Sequence, residues 1–154
     1  MFETKERSRL GAALLTGLLL VVAVAATAAA QDQDAPAATA APAATVELSF
    51  GTGIDRETRD VTGASARFAT ADFTEETGQI YCLSRVMNIG APAAVTHVWY
   101  HDGTTMAKVD LNVGSEDWRT WSSKRILRAW TGNWEVKVLD ANGMVLASAG
   151  FVIE

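Results

Sequence analysis

Two histidines, a scatter of serines and several neighbouring carboxylates are the side chains here with the types to do chemistry. His97 and His101 are four residues apart. On a helix that spacing would set two metal ligands side by side, but along a strand it spans ~13 Å, too far to share one ion. His97 therefore reads as a structural histidine whose ring nitrogens bond backbone or a neighbouring strand. His101 abuts Asp102-Gly103 and reads as a solvated turn residue. Ser122 and Ser123 fall mid-strand, without the Gly-x-Ser-x-Gly elbow that exposes a nucleophilic hydroxyl. Glu75-Glu76 and Glu116-Asp117 are adjacent pairs in expected loops. Adjacent strand residues point to opposite faces, so neither pair makes an acid–base couple, and both read as solvated turns. No catalytic residue, metal site or cofactor is expected, and the chain is read as non-enzymatic.

Binding chemistry is better represented. All five tryptophans lie after residue 98: Trp99, Trp118, Trp121, Trp130 and Trp134. Trp99 shares a strand face with His97, and Trp134 alternates with Val136 and Val138, so both are assigned to the core. Trp118 and Trp121 differ by an odd number and face opposite sides of a strand. Trp121 and Trp130 are the candidates for an exposed aromatic platform; the alternative is that all five indoles fill the core or its rim. Between Asp117 and Glu135 there is no acid, while Arg119, Lys124, Arg125 and Arg128 bring four cations. Arg119, Trp121 and Arg125 share parity, so one face could present them together. The candidate ligand-binding surface is thus Arg119, Trp121, Lys124, Arg125, Arg128 and Trp130. Guanidinium groups stiffened by an indole suit an anionic wall polymer, a lipid headgroup or an acidic partner. The competing reading pairs these cations across strands with Glu135, Asp110 or Asp117.

The elements that must position these residues show a period of two. Val109, Leu111 and Val113 alternate with Lys108, Asp110 and Asn112 within Thr105–Val113, the pattern of a half-buried strand, with Met106 on the outer face. Gly78–Ile89 is apolar on both faces, as a central strand would be. Val95–His101, Trp118–Ile126, Asn133–Leu139 and Met144–Ile153 are strand-like too; Val46–Ile54 is an expected first strand and Ala66–Phe68 a short one. Asp102-Gly103 and Asn142-Gly143 are strong hairpin signals because both dipeptides tolerate positive φ. No convincing amphipathic helix follows Thr45. The expected fold is all-β, an antiparallel immunoglobulin-like sandwich of about seven or eight strands, with a small barrel as alternative. Cys82, the single cysteine, falls mid-strand and reads as a buried thiol.

Ahead of that domain, Leu10–Ala30 runs without a charge behind Lys5, Arg7 and Arg9. Residues 1–30 read as a signal peptide cleaved after Ala28-Ala29-Ala30, or as an apolar helix retained as a membrane tether. Residues 31–45, with Pro36, Pro42 and many alanines, read as a flexible linker to a domain over 46–154. Basic residues before the apolar stretch place the domain in an extracytoplasmic compartment, periplasmic or secreted. A net charge of −5 argues against a general nucleic-acid binder.

Four motifs carry a family resemblance. His97-Val98-Trp99-Tyr100, Trp118 through Lys124, Gly132 through Val136, and Asp140 through Leu146 closing on Phe151 resemble the bacterial DUF2914 family, and Tyr81-Cys82 fits the same pattern. The resemblance spans Val46–Glu154. It implies an all-β domain often attached to signal or membrane segments, and no established catalytic residues. The expected function is an exported interaction module of the cell envelope, binding an envelope protein or anionic polymer. The alternative is a purely structural spacer. Oligomeric state is left open.

Overall fold

The computed structural model describes residues 43–154; the expected signal or anchor segment and most of the linker lie outside the described residues. Ten strands follow in order: β1 (Thr45–Gly51), β2 (Gly53–Asp55), β3 (Asp60–Thr62), β4 (Arg67–Phe68), β5 (Thr77–Met87), β6 (Ala93–His101), β7 (Thr104–Val113), β8 (Asp117–Leu127), β9 (Gly132–Leu139) and β10 (Val145–Ile153). A single 3-10 turn, Thr70–Asp72, bridges β4 and β5. There is no α-helix among the described residues, and none long and apolar enough to cross a membrane.

Two main sheets form. One has the order β1-β5-β8 and the other β4-β10-β9-β6-β7; β2 and β3 make a separate hairpin. Every main pairing is antiparallel except β4 with β10. The sheets face one another across a core that alternation dictates. Even-numbered residues of the smaller sheet (Phe50, Ile80, Cys82 and Ile126) meet Trp99, Trp134, Val136, Phe151 and Ile153 of the larger one. Phe151 sits at the centre, 4.8 Å from Phe50, 5.7 Å from Phe68 and 6.0 Å from Trp134 between ring centroids. A second cluster of Val86, Val95, Val113 and Val138 closes the other end. The smaller sheet holds the first, second and fifth of the seven long strands, and the larger sheet holds the rest, an immunoglobulin-like division into layers.

The strand forecast needs three corrections. The expected first strand is broken at Thr52, where the chain leaves β1 for the β2–β3 hairpin, and β3 carried no period-two signal long enough to notice. Met106 packs against the core although alternation assigned it outward. The cause is a β-bulge: β7 pairs Ala107 with Trp99 but Thr105 with Tyr100, so Met106 is the extra residue and turns inward. Asp117, assigned to a turn, opens β8 opposite Met87 and binds Arg85 through two hydrogen bonds of 2.9 and 2.6 Å.

One close approach shapes the lower end of the sandwich. Residues 69–76 arch from β4 to β5, and the Phe73 ring lies directly on Gly78. A Cβ at residue 78 would stand only 2.3–2.5 Å from three of its ring carbons. Gly78→Ala should therefore lift Phe73 from its seat and cost about 1–3 kcal/mol. Urea unfolding checks this, and combining it with Phe73→Ala should recover part of the loss if the clash is the cause.

Candidate functional site

Two groupings emerge, one sealed inside and one on the outer face of β5 and β8. The inner grouping is polar. His97 on β6 has no exposed surface, nor does Ser84 on β5, and Ser122 on β8 is 6% exposed. The Ser84 hydroxyl bonds His97 Nε2, and Ser122 Oγ lies 2.8 Å from His97 Nδ1. Trp99 Nε1–H donates to the same Ser122 oxygen at 3.0 Å. His97 thus bonds side chains of the opposite sheet instead of backbone, joining the two layers through both ring nitrogens. A neutral imidazole, one nitrogen donating and one accepting, satisfies the set. Burial disfavours the charged ring and pushes its pKa down to about 4.

A serine beside an imidazole is the pairing that activates a nucleophile. Here no carboxylate among the described residues bonds the ring, and neither Ser84 nor His97 has exposed surface. The arrangement orders the core. Cys82 belongs to the same interior, fully buried, with burial pushing its thiol up to about 12.

The histidine sets a pH dependence whose sign is fixed. Its folded pKa of about 4 lies below the ordinary 6.5, so the unfolded chain binds a proton first as pH falls. Stability from this group is complete above pH 6.5 and falls between 6.5 and about 4, by about 3 kcal/mol. Asp55, Asp117 and Asp140 are held below their usual 3.8 by hydrogen bonds, chiefly from the Glu57 amide, the Arg85 guanidinium and the Met144 amide respectively. Their share is lost mostly below this window. Chemical denaturation at pH 7 and pH 4.5 should show the fall in the native chain and a flatter profile in His97→Gln.

The outer grouping contains three of the six expected binding residues; Lys124 falls on the inward register opposite Ile80, and Arg128 and Trp130 lie beyond the end of β8. Register places Arg119, Trp121 and Arg125 on the outward face of β8, opposite Arg85, Leu83 and Gln79 of β5. Parity grouped them correctly, but they are not equally available. The β2–β3 hairpin folds over this sheet. Arg119 Nη1–H donates to Thr58 O at 3.1 Å, while Arg59 Nη2–H donates to Arg119 O at 2.7 Å and its guanidinium sits 5.0 Å from the Trp118 ring centroid. Arg119 is a strap anchor. Arg128 is another: its Nε–H donates to Glu75 O at 2.7 Å, a second guanidinium nitrogen to Phe73 O, and its amide to Glu76 O at 2.9 Å. Neither arginine pairs with Glu135, Asp110 or Asp117, so the cross-strand alternative also fails for them.

Trp130, expected on an exposed platform, is half-buried against the core. Its ring is 6.2 Å from Trp134, its carbonyl accepts Trp134 Nε1–H at 3.1 Å, and Lys124 Nζ stands 5.7 Å from its centroid. His101 is no solvated turn residue either. It stacks on Trp134 at 4.6 Å and its Nε2–H donates to Thr131 O at 2.8 Å. What remains between hairpin and arch is Trp121, half-buried, and Arg125, exposed, with half-buried Tyr81 in the neighbouring row. Tyr81, singled out only in the Tyr81-Cys82 pair, was not assigned to this face because both faces of β5 are apolar and its strand carried no alternation to rank them.

These features define a two-layer, all-β domain with a sealed core and one partly open sheet face. Residues 92–153 match the model of DUF2914, a protein family of unknown function. The match takes in β6 to β10 and so covers the four motifs, but it is shorter than the expected span from Val46 and leaves out Tyr81-Cys82. No curated protein matches the chain in sequence. Among solved structures, the chain is similar to the CARDB domain of the PF1109 protein from Pyrococcus furiosus, crystallised with di-metal ions. Identity is 13% and TM-score 0.43, over 73% of this chain and 92% of that one. A solution structure of that domain gives 13% identity and TM-score 0.40, over 71% and 95%. Among the described residues here, no group of three or more His, Cys, Asp or Glu side chains is placed to hold a metal.

Proposed function

We propose that this chain is an exported, non-enzymatic interaction module of the cell envelope, and that its binding face is the part of the β5–β8 outer surface centred on Trp121 and Arg125. The observation that carries this is the difference among the four cations. Arg119 and Arg128 are spent on backbone carbonyls and Lys124 covers Trp130, whereas Arg125 has no hydrogen-bond or ion-pair partner among the described residues. An indole and an uncommitted guanidinium on one strand face, with Ser123 between them, supply a rigid apolar contact and, ~13 Å further along, a bidentate anion grip for a ligand long enough to reach both. An envelope protein or an anionic envelope polymer fits that chemistry. The export signal read in residues 1–30 supports the compartment, and the retained form would tether the domain to the membrane.

Retention of the full chain on purified envelope fractions tests the reading. Trp121→Ala and Arg125→Ala should each lower retention by about tenfold, a loss of about 1.4 kcal/mol. Equal retention of both variants would favour the alternative, a spacer domain that holds an assembly without using this face.

A further inference from the structure

A half-open cleft of about 380 Å³ lies beside the 69–76 arch, bounded by the start of β5 (residues 77–80), by Phe68 of β4 and by Arg125 of β8, large enough for a small ligand. Phe68 and Phe73, each 7% exposed, are the large apolar side chains at its base, with fully buried Ile80 beneath. Its lining includes three charged residues of both signs: Asp72 and Glu75 from the arch, and Arg125 from β8. Arg125 forms no ion pair with either carboxylate, and neither carboxylate side chain has a hydrogen-bond partner among the described residues.

The backbone that carries these charges is pinned on both sides, and the three charged side chains themselves are exposed. The arch is held by Arg128 at the Phe73, Glu75 and Glu76 carbonyls, and by Thr70, whose amide and hydroxyl both donate to Glu154 O at 2.7 and 2.9 Å. Phe73 is seated on Gly78. Arg125 stands on a regular strand opposite Gln79, whose side-chain amide donates to Ser123 Oγ at 2.8 Å. The cleft therefore presents charges of both signs, unpaired among the described residues, on a held backbone frame.

We propose that this cleft binds a small zwitterion, with a carboxylate on Arg125 and an ammonium between Asp72 and Glu75, the chemistry shared by free amino acids and short peptides. A planar guanidinium takes a carboxylate through two parallel hydrogen bonds, and an ammonium offers three donors to acceptors around it. A neutral sugar could use the hydroxyls of Thr52, Thr74 and Thr77, which also line the cleft, but it would leave the separated charges without a match. The inference shares Arg125 with the proposed sheet face and otherwise rests on different residues.

Calorimetric titration of the full chain with alanyl-alanine tests it, beside the N-acetylated dipeptide, the dipeptide amide and glucose. The expected result is saturable dipeptide binding in the ~mM range. Capping either end, Arg125→Gln, or the double variant D72N/E75Q should each weaken it about tenfold or more. Two results would overturn the assignment: no saturable heat with the dipeptide, or binding indifferent to capping and to both variants. Glucose binding in place of dipeptide binding would also overturn it, in favour of a polyol site. D72N/E75Q leaves Trp121 untouched, so dipeptide binding and envelope retention can fail separately.

Discussion

The two layers of this domain are held in one relative position by a small polar network inside an apolar core. Apolar contacts between sheets are non-directional and tolerate sliding; hydrogen bonds do not. His97 and Trp99 come from one layer, Ser84 and Ser122 from the other, and all four are buried. A slip of one residue would leave several of these groups unpaired at once, at about 1–3 kcal/mol for each. The pairing of β5 with β8 is part of the constraint, since it sets Cys82 opposite Ser122 and Ser84 opposite Thr120, bringing both serines to bear on one ring. The same requirement for a neutral ring makes the core sensitive to acid.

Fixing the inward residues of β8 fixes its outward ones. Because Ser122 and Ile126 must face the core, Arg119, Trp121, Ser123 and Arg125 must face away from it. The hairpin and the arch then divide that face. Leu83, although outward by register, is only 5% exposed, at the base of a small cleft it lines with Asp60 of the hairpin and Arg119. The surface left between the two coverings is small, and it is where Trp121 and Arg125 stand.

Much of this was legible in the sequence and some was not, for identifiable reasons. Strands with one wet face, such as Gly132–Leu139, declare their period, and the inward placing of Trp99 and Trp134 follows from counting by two. Met106 was misplaced because a bulge shifts parity by one without any residue type to announce it. The β2–β3 hairpin was missed because three-residue strands carry too little pattern. His101 and Trp130 were misjudged for a different reason. Each lies next to turn residues, which argues for exposure, yet each has a flat ring that covers Trp134 at the open end of the sandwich. The partners of His97 could not be read either, since serines on two other strands hold it and sequence separation hides that convergence.

The cluster of positive charge between residues 119 and 128 is the case where the local signal and its physical use diverge most. A run of arginines in an acidic domain suggests a surface made for anions. Arginine has another property, a planar fork of several donors that can reach two carbonyls at once, which lysine's single ammonium does less well. Arg128 uses it to hold the Phe73 and Glu75 carbonyls together, and Arg119 to hold the hairpin at Thr58. These carbonyls sit in loops where no strand partner is present, so a side chain must supply the donor. Two of the three arginines in the run therefore act as staples for irregular backbone. That leaves Arg125 as the one guanidinium on this face with no internal work among the described residues. A chain that anchors its neighbouring arginines while keeping that group exposed and uncommitted, on the face that carries Trp121 and at the edge of a cleft, has placed its free charge where a ligand can reach it.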